Sequence, residues 1–103
     1  MDNKSLILDI AMNLNRIGNW AADDYFIKKK RICLFLNQTT NYLKLLDQSK
    51  LPNLLKRTIT KFTNEFSQLK KASKKNPQDT LACAEKMMTW GNILTHRSQL
   101  IKS

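Results

Sequence analysis

The sequence predicts an all-α protein, an antiparallel up-down-up-down four-helix bundle, and three observations carry that expectation. Only two glycines and two prolines occur in 103 residues, too few for a sandwich or barrel that needs turn chemistry about every 8 to 12 residues. Apolar residues return at steps of three and four along most of the chain. The interruptions between these stripes are short, which favours antiparallel neighbours. A chain of this length supports one core and buries roughly 60 to 65% of its unfolded surface, so residues 1–103 read as a single domain.

The first helix is expected from about Lys4 to Ala22, with Leu6, Ile10, Leu14, Ile17 and Ala21 as its stripe and Gly18 weakening its last turn. Asp23 or Asp24 is a suitable N-cap for a second helix to about Gln48. Its core face would be Ile32, Phe35, Thr39, Tyr42 and Leu46, flanked by Leu36 and Leu43. The first two helices could also fuse into one kinked rod. Ser49 is expected to cap a third helix with Pro52 in its first turn, where a missing N–H is tolerated, and Leu55, Ile59, Phe62, Phe66 and Leu69 as its stripe. Asn76 as N-cap, Pro77 at the first helical position and Asp79 two residues on predict the start of a fourth helix. That helix presents Leu81, Ala84, Met88 and Gly91 beside Met87, Trp90 and Leu94. Ala84 and Gly91 would permit close approach, either within the chain or between subunits.

Charge is the strongest functional signal. Eighteen Lys and Arg face eight Asp and Glu, a formal +10. The first 27 residues sum to −2, so the excess lies entirely in the remainder. Such a charge destabilises the compact state by self-repulsion until a polyanion supplies counter-charge. The bases are also arranged. Arg57, Lys61, Asn64, Gln68, Lys71 and Lys75 recur at helical spacing opposite Phe62 and Phe66, a stripe able to follow phosphates. Lys28, Lys29, Lys30 and Arg31 form a second cluster. Lys70, Lys71, Lys74 and Lys75 form a third, near a helix C-terminus that favours cations. Arg97, beside His96, completes the candidate set. A merely solvated helix interleaves Glu with Lys, yet Lys50 to Lys75 contains only Glu65.

The inventory does not favour an enzyme. One histidine, His96, two cysteines 50 positions apart and no glycine-rich loop give no signal for a zinc site, a phosphate-cradling loop or a Cys-His pair. No catalytic residue, metal or cofactor is expected. Asp23 and Asp24 read as helix-capping acids, and Cys33 and Cys83 as reduced core residues. Phe35, Tyr42, Phe62 and Phe66 fall on apolar faces, so base stacking is less expected than backbone-directed binding of RNA or DNA. Trp20, at an expected turn, is a candidate to cap the bundle end or meet another subunit. The start of the chain lacks a signal peptide's basic end and apolar run, and the longest apolar run, Ile32 to Leu36, is far too short to cross a bilayer. No membrane association is expected, and the expected location is the cytoplasm. The competing reading is an adaptor that docks an acidic partner protein through its basic face.

Across most of its length the chain resembles the accessory variability determinant proteins of diversity-generating retroelements. The resemblance rests on Ala84-Glu85-Lys86-Met87-Met88-Thr89-Trp90-Gly91-Asn92-Ile93-Leu94, similar to that family's closing helix with its small residue, apolar pair and Gly-x-x-Leu step. Lys30-Arg31-Ile32 and the Leu-x-x-x-Ile-x-x-Phe pattern of the third helix are similar too. Thr95-His96-Arg97 and Asn19-Trp20 depart from the pattern. The resemblance implies a homopentamer of four-helix bundles, basic on its surface, that binds nucleic acid and a reverse transcriptase. Bundle proteins encoded in ribosomal-RNA intervening sequences share that fold.

Overall fold

The computed structural model describes residues 2–74 and 79–101. Counted by helix, this part of the chain has three rather than four: α1 spans Asn3–Leu45, α2 Asn53–Lys74 and α3 Thr80–Ser98, with a 3-10 turn at Gln48–Lys50 between the first two. No strand occurs among the described residues. Among the described residues no helix is long and apolar enough to cross a membrane.

The expected first and second helices are fused, and α1 bends sharply. A straight helix of its 43 residues would reach about 64 Å, whereas the longest dimension of the molecule is 39 Å. The bend is at Asp24, whose φ of −154° and ψ of 94° leave the helical region. No proline or glycine is needed there. Asp24 Oδ1 accepts the Ile27 N–H at 3.2 Å, the side-chain-to-backbone bond by which an N-cap restarts a helix. Residues 3–23 and 25–45 are thus two arms. Asn13 Nδ2 on the first arm donates to Gln38 Oε1 at 3.0 Å and Thr39 Oγ1 at 3.3 Å on the second, and Trp20 meets Phe35 edge-on at 4.9 Å between centroids. These pairings reverse the direction of the chain.

The core follows the predicted stripes with defined exceptions. Leu6, Ile10, Leu14, Ile17 and Ala21 of the first arm and Leu55, Ile59, Phe62, Phe66 and Leu69 of α2 are all buried. On the second arm Ile32, Leu36, Thr39 and Leu46 are buried, while Phe35 and Tyr42 are only half-buried. Phe35 was expected inside; Trp20 covers its edge and Arg16 its face, at 5.9 Å to the centroid. On α3 Met87 is the fully buried methionine and Met88 the half-buried one. Leu81, assigned to the core from spacing, is 60% exposed in the first turn. Cys83 is buried, Cys33 half-buried, and both are free thiols.

The described helix starts carry their own caps. Ser49 lies inside the 3-10 turn that precedes α2, and Asp47 caps that turn: its Oδ1 accepts from Ser49 N–H at 3.2 Å and Oγ at 2.6 Å. Pro52 precedes α2, and its carbonyl accepts the Lys56 N–H at 2.9 Å. Asp79 caps α3 through the Ala82 N–H at 2.9 Å; Asn76 and Pro77 lie outside the described residues. Trp20 sits within α1 rather than in a turn.

Helix α3 packs most closely on the first arm, at its small residues. A Cβ on Gly91 would stand 3.1 Å from the Ala11 carbonyl oxygen and one on Gly18 3.0 Å from that of Ala84. Both glycines therefore serve approach within the chain. Phe62 joins the two remaining layers, with Phe66 and Trp90 rings each 5.3 Å away. Tyr25 donates its hydroxyl to the Ser73 carbonyl, which ties the start of the second arm to the end of α2.

Candidate nucleic-acid interface

Capping consumes much of the acid in this chain. Asp2, Asp24, Asp47 and Asp79 each accept a backbone N–H at a helix or turn start, and Asp23 pairs with Lys28 at 2.5 Å. Residues 25–78 contain only two acids, Asp47 and Glu65, against thirteen bases. The cations on their surface have few carboxylates within reach.

On α2 the apolar stripe turns Leu55, Ile59, Phe62, Phe66 and Leu69 inward, so the residues half a turn away must face out. Arg57, Lys61, Asn64, Gln68 and Lys71 are all exposed. From Arg57 to Lys71 the rise is about 21 Å. No described residue forms a hydrogen bond or ion pair with the side chains of Arg57, Lys61 or Lys71. Lys75 lies outside the described residues.

Lys70 and Lys74 belong to a different side of α2 from Lys71. Lys70 Nζ donates to Thr40 Oγ1 at 2.7 Å and Lys74 Nζ to Asn37 Oδ1 at 3.2 Å, so both reach across to the second arm of α1. Desolvation pushes the Lys70 pKa below the usual lysine range, with Lys74 and then Lys44 adding like-charge repulsion. Lys70 and Lys44 also line a cleft of about 350 Å³ with the hydroxyls of Thr40, Thr63 and Ser67. The cationic surface of α2 thus continues towards the second arm. Towards α3 it stops, where Lys61 borders a cleft that also holds Glu65, Glu85 and Lys86.

The other candidate residues are placed separately. Lys28 is half-buried and engaged by Asp23. Lys29 is half-buried and Lys30 exposed. Arg31 lies over the Trp20 ring, 5.3 Å from its centroid, a cation–π contact that holds the guanidinium near the surface. Arg97 is half-buried in the last turn of α3, whose far end carries Asp79. Large apolar side chains that sequence reasoning did not single out stand among these bases: Phe26, Ile27 and Leu34 are exposed. The available signal was their spacing, since Ile27 and Leu34 fall opposite the Ile32 and Leu36 stripe.

No protein-family model, curated protein or solved structure matches this chain. Its function must be argued from these residues.

Proposed function

We propose that this protein is a non-catalytic nucleic-acid-binding bundle that grips the phosphate backbone through α2 and the adjoining side of the second arm. One observation carries the reading: Arg57, Lys61 and Lys71 stand exposed on one line, and the surface beside them adds Lys44, Lys70 and Lys74 without an acid. Lys70, whose pKa is lowered first by desolvation and then by repulsion from Lys74 and Lys44, gains when phosphates replace that repulsion. Lys28, Lys29, Lys30, Arg31, Lys75 and Arg97 contribute general field and secondary contacts. The contacts address backbone rather than base edges, so RNA and DNA are both substrates for binding.

The finer architecture belongs to the same reading. Treating the arms of α1 as separate helices gives an antiparallel up-down-up-down four-helix bundle, supported by the non-helical Asp24 and the Asn13–Gln38 and Lys70–Thr40 pairings. The resemblance to accessory variability determinant proteins extends it to a cytoplasmic homo-oligomer, a pentamer, that assists a reverse transcriptase. Light scattering tests the assembly: a mass of 12.0 kDa at all concentrations would reject it.

The binding test is a salt titration on duplex DNA. Replacing Arg57, Lys61 and Lys71 with Gln keeps helix propensity and should reduce the log-log salt slope by about two to three units. A control triple, Lys4, Lys50 and Lys86 to Gln, removes equal charge from other faces and should change the slope less. Equal losses would leave only net charge at work and remove the located site. A second reading, an adaptor for an acidic protein, draws support from the exposed apolar residues beside Lys30 and Arg31.

A further inference from the structure

The outer face of the second arm holds exposed apolar side chains that phosphate binding does not use. Ile27 and Leu34 are 79% and 64% exposed, two helical turns apart and opposite the buried Ile32, Leu36 and Thr39. Lys30 and Arg31 fall between them. Ile27, Lys30, Arg31 and Leu34 therefore occupy positions i, i+3, i+4 and i+7, the four corners of the hole that a facing helix fills in knobs-into-holes packing. With Lys28 they line a shallow cleft of about 600 Å³.

This hole is apolar at its two ends and cationic along its sides. Arg31 is backed by Trp20, and Arg16 lies over Phe35 on the same border. On the other border Lys74 reaches Asn37. Between Asp24 and Asp47 the chain has no acidic residue, and Asp23 is engaged with Lys28 at the edge of the cleft, so no acid on their own arm faces Lys30 and Arg31. A second copy is disfavoured as occupant, because symmetric pairing would set Lys30 and Arg31 against their own equivalents. A phosphate backbone would meet the cations but gain nothing from Ile27 and Leu34. A lipid surface needs a broad apolar band, and here Asn37, Gln38 and Asn41 follow Leu34 directly.

We propose that this face docks an acidic amphipathic helix of a partner protein. An apolar side chain of that helix enters the hole between Ile27 and Leu34, and its flanking Asp or Glu residues meet Lys30 and Arg31. The proposal deepens the adaptor reading; nucleic-acid binding shares this face only through the secondary contacts of Lys30 and Arg31, its principal cations Arg57, Lys61 and Lys71 standing on α2.

The test uses the full chain and a synthetic amphipathic helix of about 21 residues, three heptads, with Leu on its apolar seam and Glu beside it. A matched peptide with Lys in place of Glu and vesicles of phosphatidylserine and phosphatidylcholine are the comparisons. The acidic peptide should bind and the Lys peptide should not. The double variant Ile27→Ser, Leu34→Ser, altering exposed side chains only, should weaken acidic-peptide binding about tenfold or more and leave DNA binding within about twofold. Lys30→Gln with Arg31→Gln should weaken the peptide comparably. Equal binding of both peptides, an unaffected double variant, or no binding at millimolar peptide would each overturn the proposal. So would vesicle binding that the double variant loses while peptide binding stays, which would make the face a membrane contact. Failure of DNA binding with peptide binding intact would sink only the nucleic-acid reading.

Discussion

Asn3 and Asp47, 44 positions apart, exchange two hydrogen bonds: Asn3 Nδ2 donates to the Asp47 carbonyl at 2.9 Å, and the Asp47 N–H donates to Asn3 Oδ1 at 2.9 Å. One amide side chain thus joins the two ends of a hairpin whose bend lies at Asp24. Asp47 is also the cap of the following 3-10 turn, so closure of α1 and the start of the connection to α2 share one residue.

Asn3→Ala should open that junction without unfolding the chain. Two exposed bonds contribute about 1 kcal/mol together, a loss of several degrees in thermal midpoint for a domain of this size. Hydrogen exchange at the Asp47 amide should accelerate by more than the global change explains. An unaltered Asp47 rate would remove the junction from the account of stability.

Gly18→Ala and Gly91→Ala should both destabilise, although alanine normally improves a helix by up to about 1 kcal/mol. The added methyl meets the Ala84 carbonyl at 3.0 Å in one case and the Ala11 carbonyl at 3.1 Å in the other. Forcing α3 from the first arm costs about 1 to 3 kcal/mol. Urea unfolding measures it, and stabilisation in either variant would contradict the close packing.

Phe62→Ala should cost about 3 to 5 kcal/mol, because its ring is fully buried between Phe66 and Trp90. Leu81→Ala should stay within about 0.5 kcal/mol, since the side chain is exposed. Chemical denaturation of the two variants side by side checks both. Similar losses would show that the spacing rule, not the observed burial, describes α3.

The alkaline limb of stability should carry the signature of Tyr25. Burial, the first cause, pushes its pKa up to about 12 from the usual 10.0, and the bond it donates to the Ser73 carbonyl is one that only the neutral phenol makes. The fold favours the neutral phenol, so this contribution is complete below pH 10 and is lost between about pH 10 and 12. It amounts to roughly 2 to 3 kcal/mol. Tyr25→Phe should cost about 1 kcal/mol at neutral pH yet fall less steeply across that window. Lysine deprotonation affects both proteins alike, so the difference between their pH profiles is the measured quantity. Parallel profiles would mean that Tyr25 ionises freely in the fold.

The sequence by itself determined the helical class, the stripes of the first arm and α2, a cap at Asp23 or Asp24 and the basic outer line of Arg57, Lys61 and Lys71. Each of these is local: a period of 3.6 residues and a short polar side chain at a helix start act within a few positions of themselves. Only the tertiary structure decided that Leu36 rather than Phe35 fills the core, that Gly18 and Gly91 face each other's helices, and that Lys70 and Lys74 turn from Lys71 towards Thr40 and Asn37. Those outcomes depend on which helix stands beside which, and neighbours such as Ala11 and Ala84 or Thr40 and Lys70 are far apart in the chain. Helical spacing gives the direction of a side chain about its own axis, whereas burial and electrostatic surroundings are set by what another segment brings to that side.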